Sequence, residues 1–357
     1  MPIVAFFFAI LFVSFPTPAR STDVMIPELA YQARSTLVVP RAPDQSTRTR
    51  LEELISLPSP ARLPVPPLAI AEAEPTDVWE RIRRHFAMPK LAGPLVDREM
   101  HAYLKRPEML KAILQRSRLY LYHIVSELER RKFPMELALL PMVESGYNPH
   151  ALSSAQASGL WQFIPDTGKR YDLPQTSSYD ARRDIIASTR AALDYLQFLH
   201  SLTGDWHLAL ASYNWGERAV LAAMERNRGK GRPVNYQALT LPEETRMYVP
   251  KLEALRNIIA NPEAYGVTLD PVPNEPYFVA VDNMWRLDVR AAAKLAEMSL
   301  DEFVALNAAF NGSTISSADT SLILLPVDRV EIFRRNVQNA RFAQLPRARP
   351  PAVQGLR

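Results

Sequence analysis

Between about Thr76 and Asn261 the apolar residues return every three or four positions, a period that buries a continuous face only when the chain is helical. Thr76 or Asp77 is placed to cap a first helix containing Ile82 and Phe86. Residues 107 to about 131 read as one long helix, with Leu110, Ile113, Leu114, Tyr120, Leu121, Ile124, Val125 and Leu128 along a broad apolar face. Residues 136–144, 183–202 (through Ile186, Leu193, Leu196 and Leu199) and 206–213 continue the pattern. A last helix opens at Pro242-Glu243-Glu244 and is expected to kink at Pro250, before Leu252, Leu255 and Ile259. With 357 residues at 47% hydrophobic content, the chain holds one large core plus appendages, and the expected fold class is mainly α.

After Asn261-Pro262 the pattern changes. Tyr277 to Val281 alternates like a strand, Ser321 to Pro326 closes like another, and between them lie two helical stretches, 289–296 and 299–306, followed by Asn307. At the other end, the apolar run from Ile3 to Phe15 precedes Pro16-Thr17-Pro18-Ala19, which reads as a signal peptide (1–19) cleaved after Ala19 and implies export. No Lys or Arg precedes that run and Thr17 stands where Ala is preferred, so an uncleaved anchor is the alternative, although the run is short for a bilayer span of about 20 residues. Residues 20–75, rich in proline, are expected to be an extended or disordered spacer, or else an arm wrapped on the domain with a short helix around 48–55. Residues 336–357, with Arg341, Arg347, Arg349 and Arg357, are expected to form a disordered tail.

The absence of cysteine excludes disulfides, thiolate metal sites, cysteine nucleophiles and a lipid-modified N-terminal Cys. The net charge of +4 is a weak pointer to an anionic polymer as partner, because several of the arginines fall in the tail. No basic patch interleaved with aromatics and no Gly-rich phosphate loop appears, so no nucleic-acid partner and no nucleotide is expected. Six histidines form no His-Glu-x-x-His pattern, and His200 and His207 stand at a spacing common on any helix surface, so no metal is expected. The chemistry-bearing residue is Glu144. It ends an apolar helical run directly before Ser145-Gly146, with Leu140 at i−4 and Leu137 at i−7, so its carboxyl is expected to be partly desolvated. Desolvation raises a carboxyl pKa, as a general acid working near neutral pH requires. The alternative is a helix-end Glu pointing to solvent.

Three further blocks follow in order: Ser158-Gly159-Leu160-Trp161-Gln162-Phe163, Ala211-Ser212-Tyr213-Asn214-Trp215-Gly216 and Thr245-Arg246-Met247-Tyr248-Val249-Pro250. Together with Glu144-Ser145 this set resembles the lytic transglycosylases of the goose-lysozyme-like superfamily, over roughly residues 90 to 335, including Ser178 to Asp184 and Tyr248 to Lys251. The resemblance implies a lysozyme-like helical catalytic domain (76–265) acting on peptidoglycan glycan strands in the periplasm or cell envelope, with no cofactor. It implies that Glu144 protonates the oxygen between MurNAc and GlcNAc, then deprotonates the MurNAc C6 hydroxyl, which closes on C1 to give a 1,6-anhydro sugar. Ser145 would orient the carboxyl or a substrate group, Gln162 would present its amide to the sugar cleft, Tyr213 and Asn214 would face the acid, and Tyr248 would hold the carboxyl or an acetamido group.

Most glycosidases need two carboxylates, and Asp166, Asp172, Asp180 and Asp184 supply none in a facing position; Asp180 and Asp184 read as helix-start residues. A single acid suits a transglycosylase. A hydrolytic muramidase on the same fold and a non-catalytic peptidoglycan-binding protein are the alternatives. The strand, helix, helix, strand order of residues 270–335 resembles a degenerate LysM module, in which Asp282-Asn283-Met284-Trp285 stands for the family's Gly-Asp-Thr-Leu. Packing against the catalytic domain competes there with glycan binding.

Overall fold

A computed structural model describes residues 74–282, 287–315, 320 and 322–344. The signal-peptide and spacer assignments up to residue 73, and the tail from residue 345, lie outside the described residues, as do positions 283–286.

Ten helices build the first part: α1 Val78–Arg84, α2 Pro94–Leu104, α3 Pro107–Ser117, α4 Leu121–Arg130, α5 Leu140–Glu144, α6 Pro165–Arg170, α7 Ile185–Thr203, α8 Trp206–Trp215, α9 Glu217–Arg228 and α10 Glu243–Ala260. Asp77 caps α1 by accepting from the Trp79 backbone N–H at 3.2 Å, and it also accepts from Val272 N–H at 2.9 Å, tying the domain's entry to its exit. Helix α10 is the central strut, packed on α2, α5 and α8. It continues past Pro250 to Ala260. Proline cannot donate to the carbonyl of Arg246, and the Tyr236 hydroxyl takes that place at 2.8 Å. The buried charges of α10 are matched: Arg256 donates to Glu136 at 3.1 Å and to Glu253 at 2.9 Å, and Glu136 also accepts from the Ala87 and Met88 N–H groups.

The single helix expected over 107–131 is two. The break at Arg118–Tyr120 buries the Tyr120 ring, which stacks on Tyr147 with centroids 6.1 Å apart, while its hydroxyl donates to Ala305 O at 2.9 Å. Tertiary contacts, not local propensity, end α3. Residues 135–139 are a 3-10 turn rather than the start of one helix with α5, so the leucine stripe beneath Glu144 is not continuous.

The second part is β1 Phe278–Asp282, β2 Leu287–Asp288, α11 Val289–Leu295, α12 Leu300–Leu306, β3 Thr314–Ile315, β4 Leu322–Pro326 and α13 Val330–Gln344. Strands β1 and β4 pair antiparallel from Phe278↔Pro326 to Asp282↔Leu322, and the two-residue ladder β2–β3 is an addition to the expected pattern. Asn307 closes α12 and joins it to β4: its amide donates to Phe303 O and Leu324 O, and its oxygen accepts from Leu324 N–H. The tail expected from residue 336 is helical to Gln344.

This unit has its own core around Val289, Phe303, Ile323 and Phe333, but Leu306, Ala309 and Leu324 belong to the core of the first part. Residues 178–180 form its seat. Asp180 N–H donates to Ala309 O and Asn311 N–H to Ser178 O, each at 2.8 Å, and the Tyr179 ring lies 5.6 Å from that of Phe310. The packing role anticipated for the C-terminal unit is therefore built into the fold. No described helix is long and apolar enough to cross a membrane.

Candidate active site

Helix α5 delivers Glu144 at its last position, and a sharp turn holds it there. Gly146 and Tyr147 both have left-handed backbone, at φ 58° and 57°. For Tyr147 that conformation is costly, and it is offset by a fully buried ring, a hydroxyl donating to Ala138 O at 2.6 Å and a backbone N–H donating to Pro141 O at 3.0 Å.

The carboxyl of Glu144 accepts a hydrogen bond from the hydroxyl of Tyr248, a buried residue of α10. Burial pushes the Glu144 pKa up to about 7; the Tyr248 bond opposes the rise, the nearby Glu244 adds to it and Lys251 works against it. Glu244, Tyr248 and Lys251 are spaced four and three apart on α10, so one helix face sets the electrostatics of the acid. The Tyr248 and Tyr213 phenols are raised well above 10, by burial first and by the charge of Glu144 second. Both remain hydrogen-bond donors through the physiological range.

The facing wall is the turn from Gly159 to Phe163. Gly159 has φ 84°, and a Cβ there would stand 2.2 Å from the backbone oxygen of Arg182, so no side chain fits. Arg182 is itself buried, pairing with Asp180 at 2.7 Å and donating to Gln156 O at 2.6 Å and Phe163 O at 3.1 Å. Gln162 also has left-handed backbone, φ 50°, and its amide nitrogen donates to Gly159 O at 2.8 Å and Ala151 O at 3.3 Å. Trp161 is fully buried with its indole N–H on Thr189 Oγ1 at 3.0 Å, so it is core. Tyr213 donates to Trp161 O at 2.8 Å, and Asn214 Oδ1 accepts from the Thr245 hydroxyl at 2.7 Å.

Glu144, Gln162, Tyr213, Asn214 and Tyr248 line one cleft of about 510 Å³. Ser145 does not. Expected to orient the carboxyl or a sugar, it donates instead to the backbone oxygens of Leu160, at 2.9 Å, and Pro141, at 3.2 Å. Its hydroxyl ties the end of α5 to the facing turn, and so sets the distance between the cleft's walls.

The expectation of one carboxylate in the cleft is not met, because Glu217 and Glu244 line it as well. Glu217 accepts from the Tyr195 hydroxyl at 2.9 Å and lies 3.5 Å from Arg170. Burial pushes its pKa up, but its own backbone N–H, Tyr195 and Arg170 together outweigh that and hold it below the ordinary value. The cleft thus pairs a carboxyl that is half-protonated near neutrality with one that stays ionised. Glu217 directly follows the Tyr213-to-Gly216 block at the first position of α9, where a helix dipole favours an acid, and that was the available signal. Asp180 and Asp184 are the expected helix-start residues, accepting from Arg182 N–H and Ala187 N–H.

Residues 122–234 match the Transglycosylase SLT domain family, and residues 278–341 match the LysM-like domain of lytic transglycosylase MltD. The chain is 35% identical, over 75% of its length, to the membrane-bound lytic murein transglycosylase D of Escherichia coli strains K12 and O6:H1. A 122-residue stretch, 34% of the chain, is 45% identical to an Alteromonas protein named for tributyltin chloride resistance. The chain spans 59% of the length of each of these relatives.

Proposed function

We propose that this chain, which carries a transglycosylase SLT domain followed by a LysM-like domain, is a lytic transglycosylase of peptidoglycan. It cleaves the MurNAc-β-1,4-GlcNAc bond of glycan strands in the cell envelope and leaves 1,6-anhydroMurNAc ends. The observation that carries this reading is a cleft acid, Glu144, raised to about 7 and held by a phenol that remains a donor.

Protonated Glu144 gives its proton to the bridging oxygen as the bond from that oxygen to C1 of MurNAc breaks, and the GlcNAc side leaves as an alcohol. The Tyr248 hydroxyl stabilises the carboxylate so formed. That carboxylate then takes the proton of the MurNAc C6 hydroxyl while O6 bonds to C1, which restores the acid and consumes no water. Holding O6 beside C1 makes the closure intramolecular, worth effective molarities of about 10⁵ M or more in well-oriented systems. Gln162, whose amide nitrogen is occupied, offers its oxygen to a sugar hydroxyl or N–H, and Asn214, whose oxygen is occupied, offers its amide donors.

A hydrolytic muramidase is the second reading, favoured by one observation, the ionised Glu217 in the same cleft. Against it, Glu217 already accepts from the Tyr195 hydroxyl and pairs with Arg170, which hold it ionised and engaged at the cleft wall. Digestion of purified sacculi in heavy-oxygen water separates the two. Anhydro ends without solvent label are expected; labelled reducing ends would replace the transglycosylase with a hydrolase.

A further inference from the structure

Pro250 leaves a break in α10 beside the residues that hold the acid. Arg246 O lacks the N–H that position 250 would give it in a regular helix, and Tyr248, which donates to Glu144, lies midway between the two. Thr245, which holds Asn214, is the residue before the break. A proline break lets the angle between two helix halves vary unless something bridges it. Here one hydroxyl does. Tyr236 Oη lies 2.7 Å from Thr245 O and 2.8 Å from Arg246 O, sharing its proton between the two carbonyls, while the Val249 N–H points to the same oxygen.

The bridge is anchored away from the cleft. Tyr236 is 5% exposed, and its ring meets that of His207 in α8 edge-on, with centroids 6.2 Å apart. Its loop is tied to α9 by the buried Asn227, whose amide nitrogen donates to Pro233 O and Ala238 O, each at 2.9 Å. Glu244, Tyr248 and Lys251 share the face of α10 that lines the catalytic cleft, whereas Arg246 and Pro250 lie on the opposite face and, with Tyr236, line a separate cavity of about 190 Å³. Tyr236 therefore stands outside the cleft.

We infer that Tyr236 is a positioning residue for the reaction: its hydroxyl fixes the break in α10 and so keeps the Tyr248 hydroxyl on the carboxyl of Glu144. The inference rests on the reading of Glu144 as the acid. Without the bridge the two halves of α10 move against each other and the Tyr248 bond is lost for part of the time. Glu144, deprived of a bond that favours its charged form, then holds its proton to higher pH. The carboxylate left when that proton is given up is also less well stabilised, which slows the step. Pro250 is what makes the hydroxyl necessary, and a residue with an N–H at that position would satisfy Arg246 O by itself.

The test uses full-length wild type, Tyr236→Phe, Pro250→Ala and the double variant on soluble glycan strands. Phenylalanine keeps the ring in its pocket, and thermal melting checks each fold. Tyr236→Phe is expected to lower kcat about fivefold to tenfold, the scale of one hydrogen bond, with KM near that of wild type and the alkaline fall of the pH–rate profile moved to higher pH. In the Pro250→Ala background the same substitution should cost less than about twofold, because the restored N–H has taken over. A lower melting temperature with an unmoved profile and unchanged kcat would make Tyr236 merely structural and overturn the inference, as would an equal loss in both backgrounds. The titration of Glu144, followed by NMR of isotope-labelled glutamate carboxyls and identified with Glu144→Gln, needs no substrate. It should move upward in Tyr236→Phe. If wild type releases no product, the transglycosylase reading fails, and an unmoved titration still refutes the role given to Tyr236.

Discussion

Replacing Glu144 by Gln should stabilise the protein in alkali while destroying its activity. In the unfolded chain the carboxyl titrates near its ordinary value of 4.5, but in the fold it titrates at about 7. The unfolded state therefore loses its proton first. Native stability from this group is complete below about pH 4.5, falls as the pH rises through 7, and is flat above that. At about 1.36 kcal/mol for each pH unit of displacement, and with some allowance for solvent at the mouth of the cleft, ionised Glu144 costs the folded state about 2–3 kcal/mol. Glutamine keeps the acceptor for the Tyr248 hydroxyl and never ionises. Urea unfolding of both proteins at about pH 4 and about pH 8 measures the difference directly. The advantage of Glu144→Gln should grow by about 2–3 kcal/mol between the two conditions, whatever its constant offset. Stability curves that run parallel with pH would refute the claim that burial strains this carboxyl.

The same variant should lose about 10²- to 10⁴-fold in kcat, measured by release of soluble muropeptides, because an amide cannot donate the proton. Wild-type kcat/KM should decline as the pH rises through about 7, since only protonated Glu144 starts the reaction. In Tyr248→Phe the alkaline fall should move to higher pH, because the lost bond favours the charged form, and the low-pH rate should drop at least tenfold; a pH–rate profile that stays in place would remove Tyr248 from the acid's control. Gly159→Ala should destabilise the fold by about 2 kcal/mol or more and reduce activity by displacing Gln162, since its Cβ meets backbone at 2.2 Å; a variant as stable as wild type by thermal melting would contradict that contact.

The desolvation of Glu144 was legible in the sequence as a carboxylate at the end of an apolar run before a Gly turn, and the later blocks bring Tyr248 onto its carboxyl and Gln162, Tyr213 and Asn214 into the same cleft. Roles set by distant partners were not legible. Ser145 looks like a polar residue beside the acid, and nothing nearby reveals that its hydroxyl is bound to Leu160, fifteen residues on. Glu217 gains its meaning from Tyr195 and Arg170, which approach it only in the folded chain. Arg118, Leu119 and Tyr120 are acceptable helix residues, and the break between α3 and α4 comes from the pocket for Tyr120 formed by Tyr147 and Ala305.

The seat of the C-terminal unit on residues 178–180 bears on how such chains can be recombined. Asp180 holds Arg182 with its side chain and Ala309 with its backbone, and Arg182 in turn donates to Gln156 O and to Phe163 O on the wall that carries Gln162. A graft cut at residue 270 would therefore not be the exchange of a bead on a string. It would strip the catalytic cleft of a brace. Functional chimeras should need the seat and the unit transplanted together, and a foreign module joined at residue 270 should leave the cleft with a slack facing wall, however well that module folds.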